Sequence, residues 1–194
     1  MKNTSIKEKE KKGLGLDLVL ASIIQLEKWS PQFIRGCRVK VIYHCYGRAH
    51  SSVIAAHLHL GTLPIEGLVT KEQIMIIREF DLAEADDWGK PHFMGNDEEG
   101  NEVFILGLNS QTQICCRTIF SLACHLGIAD QIMLVNTLTV IGMTTRIGGF
   151  LSKKMRLQWI GKPLAAQGII NSLPRLRNLV TEVKMQIQRK MKGE

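Results

Sequence analysis

Nine consecutive residues, His44-Cys45-Tyr46-Gly47-Arg48-Ala49-His50-Ser51-Ser52, place a thiol, two imidazoles, a guanidinium and two hydroxyls side by side. Cys45 offers a nucleophile wherever neighbouring groups stabilise its thiolate. Arg48 and His50 offer positive charge to an anion. Ser51 and Ser52 stand where a helix is expected to open. The amides of a first helical turn have no intrahelical partner and point toward any anion placed there. His44, Cys45 and His50 are also metal-ligand types, and His57 and His59 follow.

The flanking segments position this group. Arg38 to His44 is an apolar, β-rich run that fits a buried parallel strand. Ser51 to Leu60 reads as a helix with Val53, Ile54, Ala56, Leu58 and Leu60, and Gly61 fits its C-terminal stop. The cluster therefore occupies a strand–loop–helix junction. In open α/β sheets the carboxyl ends of strands are where ligands bind. The turn Asn109-Ser110-Gln111 and the segment from Asn136 occupy similar positions.

Four readings of the junction remain open. The first is a cysteine phosphatase, whose loop reads Cys, five residues, Arg, then Ser or Thr. The loop is locally similar to that of low-molecular-weight protein tyrosine phosphatases at Cys45, Gly47 and Ser52, but Ser51 stands where the arginine should be, and no Asp-Pro pair supplies a general acid. A serine cannot present a fixed positive fork to a phosphoryl transition state. The second is a nucleotide-binding P-loop. With His50 in the lysine position, His44 and Ala49 replace the glycines of G-x-x-x-x-G-K-[ST]. The third is a metal site, but no carboxylate or cysteine pair completes a zinc pattern, and no metal is assigned. The fourth is structural: His44 and Tyr46 pack under the sheet edge, Ser51 caps the helix, and Cys45 is a buried thiol.

Further along, Lys71 to Phe80 reads as a second helix after Thr70. Asp81, Glu84, Asp86 and Asp87 form an acidic run, read as a solvated loop, with Mg²⁺ held partly by a nucleotide as the alternative. His92-Phe93-Met94, the turn from Asn96 to Asn101 and Glu102 to Leu108 form a hairpin-like unit. Thr112 to Leu126 is a helix that Gly127 stops, and Gln131 to Val135 is another strand. Ile147 to Met155 is expected to be a short helix, with Lys153, Lys154 and Arg156 as a basic patch. In Arg146-Ile147-Gly148-Gly149, the glycines allow close backbone approach to a ligand and Arg146 offers charge, which makes Arg146 and Gly148 secondary site candidates. Pro163 to Gly168 reads as a connection. Pro174 to Met191 is an amphipathic helix with Leu176, Leu179, Val180, Val183 and Ile187 on one face.

The 194 residues suffice for one domain with a proper core. Residues 1–34 are expected to be a basic N-terminal extension with a helix from Leu16 to Trp29, and residues 35–194 the α/β domain. The net charge of +7 lies partly at the two ends and otherwise hints at an anionic partner, with weak support for nucleic acid. Five cysteines, none in C-x-x-C spacing, fit reduced, cytoplasmic usage. No apolar run reaches the length of a membrane span.

The run Val41 to Ser52 resembles an uncharacterised Gram-positive bacterial family, a domain of unknown function with a similar His-Cys-Tyr-Gly-x-x-His-Ser-Ser loop. Gly95 to Val103 and Arg146 to Ser152 resemble it too. Arg48 departs, standing where a small residue is expected. The resemblance implies a cytoplasmic bacterial domain and assigns no activity, cofactor or oligomeric state.

The expected fold is a single three-layer α/β domain with a central, mostly parallel or mixed sheet. The expected function is binding of a small anion, phosphate or a phosphorylated ligand or nucleotide, by Tyr46, Gly47, Arg48, His50, Ser51 and Ser52, with Arg146 and Gly148 closing the site. The alternatives are a non-catalytic interaction or regulatory protein with a structural loop, and a phosphatase-like enzyme with Cys45 as nucleophile.

Overall fold

The computed structural model describes residues 38–142 and 158–192. The expected N-terminal extension and its helix lie outside the described residues. So do Arg146, Gly148, the helix expected over Ile147–Met155 and its basic patch.

Four strands form one mixed sheet: β1 (Lys40–Cys45), β2 (His92–Asn96), β3 (Glu102–Gly107) and β4 (Ile132–Asn136), in the order β2-β3-β1-β4. β1 lies between β3 and β4 and is parallel to both, pairing Tyr43 with Ile105 on one side and Val135 on the other. β2 pairs antiparallel with β3, as the hairpin pattern predicts. Asp97 closes that hairpin by accepting the Asn101 amide at 2.7 Å. The helices are α1 (Ser51–His59), α2 (Lys71–Met75), α3 (Thr112–His125) and α4 (Gln158–Lys192).

Alternation along β1 separates the two faces of the sheet. Val39, Val41 and Tyr43 enter a core shared with Val103, Ile105, Val135, α1 and α4. His44 faces the other way, its Nε2 lying 3.5 Å from Cys116 Sγ on α3. The sheet is thus the middle of three layers, and the α/β fold is as expected. No described helix is long and apolar enough to cross a membrane.

Two expected boundaries are corrected. The second helix stops at Met75 rather than Phe80. Tight turns follow, in which Ile77 bonds to Ile74 and Phe80 to Ile77. They drop Phe80 into the core at 1 % exposure, while Ile76 stays in solvent. The connection expected over Pro163–Gly168 is instead part of α4, which runs through both Pro163 and Pro174. A proline interrupts the helical hydrogen-bond ladder. Here the cost is offset by a continuous buried stripe of Ala165, Ala166, Ile169, Leu173, Leu176, Val180, Val183 and Ile187 that begins two residues after Pro163 and runs past Pro174.

Candidate functional site

The loop after β1 bends around the sulfur of Cys45. The Arg48 amide donates to Cys45 Sγ at 3.2 Å, and the Ser52 hydroxyl lies 3.1 Å from the same atom. Cys45 and Ser52 are both buried. The bend requires Arg48 to adopt φ +57°, the left-handed region that a side chain rarely occupies. A small residue would fit there more easily, so the strain needs an anchor. The guanidinium supplies one by pairing with Asp87 at 2.8 Å.

The underside of the loop rests on the last residue of β3. A Cβ on Gly107 would lie 3.1 Å from both Gly47 C and Arg48 N. Glycine is required at 107 by this close approach. The Asn109 amide donates to the Tyr46 carbonyl at 2.8 Å and the Leu108 amide to Cys45 at 3.0 Å. These bonds fix the entry to the loop against the exit of β3.

At the exit of the loop, His50 is the N-cap of α1 and makes no side-chain hydrogen bond to the first turn. The expectation that Ser51 caps the helix is therefore corrected. Thr137 donates to the His44 carbonyl at 3.0 Å, so the Ser51 hydroxyl must be the donor in its 2.8 Å contact with Thr137 Oγ1. Ser51 thus ties the start of α1 to the end of β4. The nine-residue α1 therefore starts without a side-chain cap from its N-cap residue.

The structure separates the sequence-predicted residues into three groups. Cys45, Ser52 and the backbone of Arg48 converge. The side chains of Arg48 and His50 are taken up by carboxylate partners: His50 Nε2–H donates to Asp81 Oδ1 at 3.0 Å and its ring packs edge-on against Phe80. Tyr46 is half exposed and meets Trp88 edge-to-face with ring centroids 6.3 Å apart.

The acidic run is solvated only in part: Glu84 and Asp86 are exposed as expected, but Asp81 and Asp87 are taken up by the loop. Asp81 is buried, adopts φ +67° and bonds through its amide to the Ala49 carbonyl at 2.9 Å. The amide of Glu84, with Arg48 beside it, holds the Asp87 carboxyl below the usual carboxylate range. Asp81, Asp87, Trp88 and Thr137 all contact the loop and are not among the expected site residues. Only the nearness of Thr137 to a strand's carboxyl end offered a signal.

His57 and His59 bond to neighbouring side chains. Tyr43 hydroxyl bonds to His59 Nδ1 at 2.7 Å, and His59 Nε2 donates to Asp97 at 3.1 Å. Burial lowers the pKa of His59 and raises that of Tyr43. Burial also pushes Asp97 upward, but hydrogen bonds from Asn101 and His59 outweigh it and leave its pKa lowered. His57 bonds to Thr62 on the surface of α1. Among the described residues, no three His, Cys, Asp or Glu side chains are grouped to hold a metal ion.

The fold and the junction define a class: an α/β domain whose first parallel strand ends in a cysteine-centred loop that opens a helix. More particularly, the chain belongs to the family described as protein of unknown function (DUF3189), whose model matches residues 40–185. The match begins at the first residue of β1 and includes the entire loop. No curated protein and no solved structure matches the chain.

Proposed function

We propose that this domain binds a small anion, phosphate or a phosphorylated ligand, in the loop from Cys45 to Ser52. One observation carries the reading: the loop folds around the Cys45 sulfur, with the Arg48 amide turned inward, immediately before a helix that starts without a side-chain cap. Backbone amides and the α1 N-terminus are the groups that would hold the anion. Arg48 and His50 support it indirectly, because their side chains are spent on Asp87 and Asp81 and keep the loop in its strained shape. Arg146 and Gly148 remain candidates for closing the site.

Phosphoryl transfer is the weaker reading. It asks for a cation facing the transferred group, and Ser51 points to Thr137 while Arg48 points to Asp87. The test is a phosphate and vanadate titration followed by amide NMR. Shifts concentrated in Gly47 to Val53, lost in Asp87→Ala through release of the loop, are the expected result. Shifts confined to the lysine-rich ends would overturn the proposal.

A further inference from the structure

Two large aromatic side chains stand in solvent beside this loop. Tyr46 is 52 % exposed and Trp88 42 % exposed. Trp88 is not on a free tether. Its backbone bridges Gly107, the next residue's amide donates to the Gly107 carbonyl at 2.8 Å, and the preceding Asp87 holds Arg48. Gly107 therefore carries the loop on one side and the Trp88 segment on the other. The indole reaches the loop itself, since a Cβ on Gly47 would lie 4.0 Å from Trp88 Nε1.

Holding a tryptophan half in water by three backbone and ion-pair contacts forgoes the stabilisation its burial would bring. An aromatic ring placed against this edge-to-face pair would recover it. We infer that Tyr46 and Trp88 form an aromatic wall that selects the organic part of the ligand, and that this part is a flat aromatic ring carrying the anionic group. The inference rests on the anion-binding reading and adds Trp88 as a specificity-determining residue. Two sources share this chemistry: an aryl phosphate, with its ring next to the phosphate, and a nucleotide, with its base further away.

The experiment compares inorganic phosphate, glycerol phosphate, phenyl phosphate and AMP by calorimetry and by the indole N–H signals of the full chain. The Trp88 signal is the one absent from Trp88→Phe. The expected result is that an aromatic ligand binds roughly threefold to tenfold tighter than glycerol phosphate. That gain disappears in Trp88→Ala and survives in Trp88→Phe, which also shows that the loop still folds. A gain for phenyl phosphate alone identifies an aryl phosphate, and a gain for AMP alone a nucleotide. If inorganic phosphate binds at the loop but neither aromatic ligand gains, or if the gain persists in Trp88→Ala, the aromatic wall is overturned and anion binding stands. If none of the four perturbs residues 47–53, both fall.

Discussion

His44 stands one residue before Cys45 and turns its ring to the opposite face of the sheet. It is 3 % exposed, and its Nδ1 has no hydrogen-bond partner among the described residues. Burial lowers its pKa from 6.5 to about 4, and burial raises that of the neighbouring Cys116 thiol, so the pair is neutral rather than an ion pair. The unfolded chain takes up this proton near pH 6.5, the folded one near pH 4. Between those values the unfolded state binds more protons, so stability falls as pH falls. Above pH 6.5 the group contributes no pH dependence. In urea melts at pH 7, 5.5 and 4.5, wild type should lose up to about 3 kcal/mol more than His44→Leu across the range. His57 and His59 shift in the same direction but are present in both proteins. Parallel curves for the two proteins would refute this assignment to His44. At this scale the sequence shows which residue types gather in the loop but not where their charges go. The partners of His50 and Arg48 sit at Asp81 and Asp87, joined by backbone turns with no sequence period to reveal them.

Between elements, Thr137 is the joint. One buried hydroxyl accepts from Ser51 at the start of α1 and donates to the His44 carbonyl at the end of β1, while its own residue opens the turn after β4. Thr137→Val keeps the volume and removes both bonds, stranding a buried donor and a buried acceptor. The expected loss is about 1–3 kcal/mol in denaturant melts, with Thr137→Ser close to wild type. A loss in Thr137→Ser with none in Thr137→Val would show that the methyl group, not the hydroxyl, matters. The elements this joint connects are legible in the sequence. An apolar run followed by polar residues gives β1 and α1, and turn formers give the β2–β3 hairpin. The second helix is legible only at its start, where Thr70 and Gln73 form a capping box. Its early end is set by the pull of Phe80 into the core, a tertiary effect.

Across the whole molecule, α4 supplies one side of the core and explains why proline was misleading. Local propensity weighs only the broken ladder at Pro163 and Pro174, whereas the helix is held by apolar burial along the described stripe against α1 and α2. Ile169 lies between the two prolines and is fully buried. Ile169→Ala should cost about 2–5 kcal/mol and lower the urea midpoint with little change in slope. A much smaller cost would mean that the stripe relaxes around the gap. The sheet order has a consequence for synthesis. β1 is the central strand, yet it leaves the ribosome before both neighbours; Glu102 of β3 follows Lys40 by 62 residues, and β4 comes later still. At ordinary translation speeds that is on the order of ten seconds with both edges of an apolar strand bare. The hydroxyl that fixes the start of α1 arrives only with Thr137, so the loop around Cys45 is made long before the residue that sets it.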